Sequence, residues 1–292
     1  MPELPEVETI KRGLAVRIIG QTILSVEVLN KSSFPQDFGL IWPFLEAKTV
    51  IDVTRFAKVL VWQLSGGQSL LFHLKMTGQI VFVGRDGNRF VGGHPSESMQ
   101  RSLPVNSTRA IFSFETGDKV FFNDQRKFGW IKVLATAHLN DDPFLAKLGP
   151  EPLGSDFTTL SLSDSLARHG RAPVKAVLLD QTTVAGIGNI YADESLHLAK
   201  IHPARLAGTL SRSEISRLHR AIVEILSLGI AHGGTSFTSY VTAEGEKGDY
   251  LQYARVFRRD SQACPVCGAV IKKIRVAGRG THYCPTCQKA PK

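Results

Sequence analysis

After Pro5 the apolar residues Val7, Ile10, Leu14 and Ile18 recur every three or four positions, the spacing that turns one side of an α-helix toward a core. The first twenty residues therefore read as a short extended lead followed by one amphipathic helix. From residue 22 to about 134 the period changes. Eight short runs rich in β-branched and aromatic residues (TILSVEV, TVIDVTR, KVLVWQL, SLLFHL, QIVFV, RAIFSFE, KVFF and GWIKVL) are separated by Gly, Asp and Asn, a pattern that predicts a β-sandwich or barrel. The stretch from Gly84 to Pro104 follows neither period and predicts a long surface loop.

Prolines and glycines at 143–154 read as a linker into a second region. There the pattern is helical over Leu160 to His169, Val174 to Gln181 and Gly188 to Lys200. A longer helix opens with Ser211 and Glu214, an S-x-x-E capping box, and carries the stripe Ile215, Leu218, Ile222, Ile225 and Leu226. Residues 233–253, rich in Gly, Ser and Thr, predict a loop of unusual length, often a functional feature in compact proteins.

The length of 292 residues fits two domains and a small appended module. With 43% hydrophobic and 21% charged residues the composition is that of a globular core and excludes collagen-like, mucin-like and acidic-tail classes. Lys and Arg number 35 against 26 Asp and Glu. The surplus is local: residues 254–292 hold nine basic and one acidic side chain, and the preceding 253 hold 26 and 25. That placement points to a polyanionic partner at the C-terminal end. The opening MPELPEVETIK lacks a basic and an apolar signal region, and no apolar run has the ~18 residues of a membrane helix, so a soluble intracellular protein is expected. The sequons at Asn30 and Asn106 then read as chance matches.

All four cysteines lie near the end. Cys264 and Cys267 form one C-x2-C, Cys284 and Cys287 another, sixteen residues apart, which is the spacing of four thiolates on one tetrahedral, structural Zn2+. No βαβ pattern supports the alternative of redox dithiols. His282 is expected as a surface histidine, since four sulfurs close the shell. Between the knuckles, IKKIRVAGRGTHY alternates apolar and basic residues and predicts a β-hairpin with Arg279, between Gly278 and Gly280, at its tip. Arg279 is either a solvated turn residue or a bidentate phosphate ligand.

Together these segments resemble the formamidopyrimidine-DNA glycosylase family of bacterial repair enzymes. The resemblance spans essentially the whole chain and rests on MPELPEVET, Lys58 in RFAKVLVWQL, HLKMTGQ, DQRKFG, DQTTVAGIGNIYADE and VAGRGTHYCPTCQ. It implies an α+β multidomain fold: a catalytic β-sandwich with an N-terminal helix (1–140), a helix-two-turn-helix DNA-binding domain with a lesion-capping loop (141–253) and a zinc β-hairpin (254–292). It also implies a base-excision repair glycosylase and AP lyase, a monomer that acts on double-stranded DNA with oxidised purines in the cytoplasm, associated with the nucleoid.

By that resemblance Pro2, freed by trimming of Met1, is the nucleophile, since a neutral secondary amine attacks a sugar carbon and forms an iminium. Glu3 becomes an acid, Lys58 a phosphate-anchoring proton donor and Arg279 a phosphate clamp. Glu6 is expected either against the lesion or as a cap of the first helix turn. Chemistry on a duplex base needs a flipped nucleotide and leaves a void; Met76, Arg126 and Phe128 match the residues that fill it. Asn189 in Gly186-Ile187-Gly188-Asn189 is a candidate phosphate ligand at a helix N-terminus, with Arg171 and Lys175 as lesser ones. Thr238 and Tyr240 belong to the segment expected to close over the base. Many relatives carry a histidine-containing DNA contact where this chain has Asn106, Ser107 and Thr108, with an apparent insertion at 84–104 before it, so one of these three takes that place here and Ser107 is the candidate. One Zn2+ on four thiolates carries a formal charge of −2, leaving about +6 for the C-terminal segment.

Two other readings compete. An endonuclease-VIII-like enzyme would prefer oxidised pyrimidines, and a zinc-ribbon damage binder would have no chemistry. The PELPEVE opening, the Met76, Arg126, Phe128 set and the long 233–253 loop favour the purine branch, and intact Pro2, Glu3 and Lys58 argue for catalysis.

Overall fold

The computed structural model describes residues 1–94, 102–235 and 248–290. They form two compact units, Met1–Ala146 with His232–Asp249, and Lys147–Ala231 with Tyr250–Lys292. The ends of the long loop group with the N-terminal unit, and the zinc hairpin groups with the helices.

In the first unit, α1 (Leu4–Ile18) buries Val7, Ile10, Leu14 and Ile18, the predicted stripe. The predicted β runs become β1 (Ile23–Val28), β2 (Val50–Phe56), β3 (Val59–Leu64), β4 (Gln68–His73), β5 (Gly78–Val83), β7 (Thr108–Phe114), β8 (Lys119–Asp124) and β9 (Trp130–Ala135). A short helix, α2 (Phe38–Ile41), lies between β1 and β2. The ninth strand, β6 (Arg89–Gly93), lies inside the stretch expected to be loop and pairs antiparallel with β5. Its glycines disguised it. A Cβ at Gly92 would sit 2.4 Å from Ile10 of α1, and one at Gly93 would sit 2.5 Å from the Gly78 carbonyl. The residues that broke the strand pattern are those that let helix and sheet approach closely.

The strands form two antiparallel sheets, β1-β7-β8-β5-β6 and β2-β3-β4-β9. Trp62 and Phe72 of the smaller sheet meet Phe112 of the larger at ring separations of 5.2 and 5.6 Å. These aromatics are fully buried and fill the layer between the sheets, the core of a β-sandwich.

The second unit contains α3 (Thr159–Arg168), α4 (Val174–Leu179), α5 (Asn189–Leu198) and α6 (Arg212–Ala231). The capping box before α6 forms as expected, with Ser211 N donating to Glu214 Oε2 at 2.8 Å and Glu214 N donating to Ser211 Oγ at 3.3 Å. The predicted α6 stripe is buried. A short helix, α7 (Tyr250–Tyr253), replaces the last turn of the expected loop, because Tyr250 is buried with its ring 5.0 Å from that of Tyr191. The chain ends in the antiparallel hairpin β10 (Lys272–Val276) and β11 (Arg279–Tyr283). Among the described residues no helix is long and apolar enough to cross a membrane.

Candidate functional site

Pro2 and Glu3 are buried at the start of α1, where Pro5 occupies a first-turn position that needs no N–H donor. Glu3 is the N-cap and forms a capping box with Glu6: Glu3 N donates to Glu6 Oε2 at 2.8 Å. The other oxygen, Glu6 Oε1, accepts from Thr235 N at 2.7 Å and from Thr235 Oγ1 at 3.1 Å. Glu6 thus caps the helix and holds the start of the 233–253 segment. Gly234 makes this approach possible, since its φ is +77° and a Cβ there would lie 2.7 Å from Glu6 Oε1. At the other end of the segment Asp249 N donates to the His232 carbonyl at 3.0 Å, and His232 Nδ1 meets Asp249 Oδ1 at 2.8 Å. Thr238 and Tyr240 lie outside the described residues.

Lys58 sits in the β2–β3 turn and is only 5% exposed. The turn between β4 and β5 places Met76 36% exposed, and the turn between β8 and β9 places Phe128 53% exposed. The Arg126 guanidinium lies 4.7 Å from the Phe128 ring centroid, a cation–π contact that keeps both side chains at the same tip. Ser107 is half-buried, and its carbonyl accepts from Asp124 N at 2.7 Å.

In the second unit Arg171 and Arg279 are exposed. Arg279 follows the two-residue turn Ala277-Gly278, both with positive φ (47° and 77°), as a tight hairpin requires. Lys175 differs from expectation. It is 0% exposed, with Nζ 2.6 Å from Asp193 Oδ1, 2.8 Å from Thr281 Oγ1 and 3.2 Å from the Gly280 carbonyl. A lysine so enclosed has no ammonium to offer a phosphate. It ties α4 and α5 to the residue next to Arg279. Asn189 Nδ2, at the N-terminus of α5, donates to the same Gly280 carbonyl at 3.1 Å.

Asp193 and Glu194 form a buried acidic pair that sequence patterning does not single out. Asp193 Oδ2 accepts from His282 N at 2.9 Å. Glu194 accepts from three successive amides, Arg255 at 2.7 Å, Val256 at 2.9 Å and Phe257 at 2.7 Å, fixing the chain as it enters the hairpin module. Burial still pushes the Glu194 carboxyl up, against the pull of those amides. His282 is buried, a correction to the expected surface position, with Nδ1 3.4 Å from Asp193 and Nε2 3.3 Å from Asp260.

The four cysteine sulfurs lie within 4.8 Å of one another, with Cys267 to Cys284 at 3.4 Å and Cys264 to Cys287 at 4.0 Å. Tetrahedral zinc with ~2.3 Å bonds separates its sulfurs by about 3.8 Å, so the cluster fits one ion. The chemistry of the donors agrees. The Ala269 amide pulls Cys267 down to about 7, whereas burial and the neighbouring thiols push Cys284 and Cys287 up. Four thiolates so close need a dication to ionise together. His197 Nε2 stands 3.5 Å from Cys264 Sγ, a supporting contact from α5 with no signal in the cysteine spacing.

Residues 1–131 match the formamidopyrimidine-DNA glycosylase N-terminal domain, 148–241 the H2TH domain of formamidopyrimidine-DNA glycosylase, and 261–290 a zinc finger found in FPG and IleRS. A formamidopyrimidine-DNA glycosylase from Symbiobacterium thermophilum is 41% identical over 100% of this chain and 90% of its own. The chain belongs to the formamidopyrimidine-DNA glycosylase family. A second relative of that name, from Desulforamulus reducens, is 40% identical over 99% of this chain and 100% of its own. Among solved structures, a mutant Lactococcus lactis FPG bound to Fapy-dG DNA superposes with a TM-score of 0.88 at 35% identity, covering 99% of this chain and 100% of that one. The wild-type enzyme bound to DNA with an oxidised pyrimidine gives 0.86 at 34% identity, with the same coverage. As in the family's zinc finger, the four cysteines bind one zinc ion.

One further residue supports this family member's first unit without being visible as a motif. His73 closes β4, buried between Trp130 and Phe144 with both ring centroids at 5.5 Å. Burial, then the charges of Lys75 and Lys58, push its pKa down to about 3. The neutral ring accepts from Lys75 N through Nδ1 at 3.0 Å and so holds the turn that carries Met76. A histidine whose folded pKa lies below its unfolded value of about 6.5 supports the fold fully above pH 6.5. That support falls by up to about 1.4 kcal/mol per unit as pH drops toward 3. Urea midpoints should therefore decline between pH 7 and pH 5 more steeply for the wild type than for His73→Gln. Parallel declines would refute the assignment.

Proposed function

We propose that this chain is a bifunctional DNA glycosylase and AP lyase that removes oxidised purines such as 8-oxoguanine and formamidopyrimidines. The observation that carries the proposal is the start of the chain, where the buried Pro2 and Glu3 precede a helix whose Glu6 grips Thr235 at the start of the long loop. Loss of Met1 leaves Pro2 with a secondary amine. Its nitrogen attacks C1′ of the damaged nucleotide, the glycosidic bond breaks and the base leaves with a proton. Glu3 donates a proton to the sugar ring oxygen, the ring opens and the C1′ linkage becomes an iminium. Loss of a C2′ proton expels the 3′ phosphate, and loss of the C4′ proton from the resulting conjugated iminium then expels the 5′ phosphate. In this reading Lys58 and Arg279 bind phosphates and assist these departures, and Asn189 and Arg171 hold the backbone. Glu6 anchors the start of the lesion loop at Thr235, with Thr238 and Tyr240 as candidate contacts to the base.

Arg279 suits its role because its neighbour Gly280 is fixed by Lys175 and Asn189, so little backbone entropy of the turn is lost on binding. Zinc, when bound, supplies folding energy to the hairpin and takes no part in the chemistry. Lesion class is tested by excision rates from 8-oxoguanine opposite cytosine and from thymine glycol. Faster release of 8-oxoguanine is expected, and clear preference for thymine glycol would move the chain to the pyrimidine branch.

A further inference from the structure

Asp124 ends β8 with a side chain that is 0% exposed, yet its carboxylate reaches two separate turns. Oδ1 accepts from the Thr77 hydroxyl and from Arg126 N at 3.2 Å, and Oδ2 accepts from Gly129 N at 2.7 Å. Arg126 N is shared with Thr77 Oγ1 at 3.0 Å. A single buried charge therefore joins the turn that carries Met76 to the turn that carries Arg126 and Phe128.

The surroundings hold this carboxylate in place. Arg109, itself buried, donates through Nε to the Asp124 carbonyl at 2.7 Å and through a terminal nitrogen to the Asn106 carbonyl at 3.1 Å. A Cβ at Gly129 would lie 2.7 Å from the Phe122 ring and 3.1 Å from Asp124 Oδ2, so the close approach on that side needs glycine. Both turns also contain a lysine in the left-handed region, Lys75 at φ 48° beside Met76 and Lys127 at φ 58° beside Phe128. Such a conformation in a non-glycine residue persists only where its neighbours enforce it. Charge-assisted bonds from backbone amides to a buried carboxylate are suited to enforcing it.

We infer that Asp124 is a positioning residue that sets Met76, Arg126 and Phe128 in one register and thereby governs how efficiently the protein handles a lesion in duplex DNA. The inference rests on the reading of those three side chains as void-fillers. A single-stranded abasic site has no stack to repair, so the ratio of duplex 8-oxoguanine excision to single-stranded abasic cleavage reports on the register. In Asp124→Asn the amide cannot accept from the Thr77 and Gly129 sides at once. Thr77→Val removes only the bridging hydroxyl and leaves the buried carboxylate, which guards against a folding defect in the first variant.

The ratio is expected to fall about 10-fold to 100-fold in Asp124→Asn, because small misplacements of a positioned group cost rates of that order. It should fall in the same direction, by less, in Thr77→Val, and discrimination between cytosine and adenine opposite the lesion should relax in both. Equal losses on both substrates would mean that Asp124 is merely structural and would overturn the inference. An unchanged ratio in both variants, with a lowered ratio in Met76→Ala and Phe128→Ala, would overturn it while sparing the void-filling reading. An unchanged ratio in all four would remove that reading and the inference with it.

Discussion

Pro2→Gln is expected to abolish the borohydride-trapped adduct with abasic DNA and to lower lesion excision by at least about 10⁴-fold, the scale of losing a covalent nucleophile. A long polar side chain at position 2 blocks removal of Met1, which leaves the terminal amine one residue, about 3.8 Å, away from the position of the proline nitrogen. Nucleophilic attack needs the reacting atoms about 3–3.5 Å apart and aligned, so even an intact amine is then out of reach. Binding of DNA with an uncleavable abasic analogue should remain within a few-fold of wild type, because the phosphate contacts are untouched. Pro2→Gly provides the complement: with Met1 trimmed it keeps an amine in register and should retain some adduct. Wild-type adduct yield from Pro2→Gln would rule out Pro2 as the nucleophile.

The second large effect follows from the zinc centre. The hairpin's own apolar cluster is small, with Val256, Cys264, Ile271 and Cys284 as its buried members. A core of that size cannot hold a β-hairpin by burial alone. Zinc binding of about 10 kcal/mol or more is therefore its folding energy. Cys284→Ala, or chelation of the wild type, should abolish amide protection across 254–290 while the sandwich melts as before. DNA affinity at fixed salt should fall by more than in Arg279→Ala, for which one charge-assisted phosphate contact predicts a loss of roughly 10-fold to 100-fold with zinc still bound. Wild-type affinity in zinc-free protein would show that the metal is dispensable.

The residues that were legible and those that were not differ in the range of their causes. The α1 stripe, the Ser211 and Glu214 box and eight of the nine strands among the described residues of the N-terminal unit follow from spacings within one element. β6 was hidden because Gly92 and Gly93 answer to partners elsewhere, the Ile10 side chain and the Gly78 backbone. Lys175 reads as a free cation beside a helix, and its burial depends on Asp193 and on Thr281, 106 positions away. Asp124 sits inside a recognisable motif, yet its partners Thr77 and Arg126 meet only after β5 and β8 pair.

The sequence by itself determined the helix and sandwich elements, the four-thiolate zinc site and the family, since periodicity, capping and ligand spacing are local and survive without knowledge of the fold. The tertiary structure alone decided which charged groups remain available. Glu6 reaches across 229 positions to Thr235, Lys175 is enclosed, and His282 turns inward to Asp193. The physical reason is that desolvation and pairing depend on the whole set of groups around a charge, and that set is assembled from chain segments whose mutual approach no local pattern encodes.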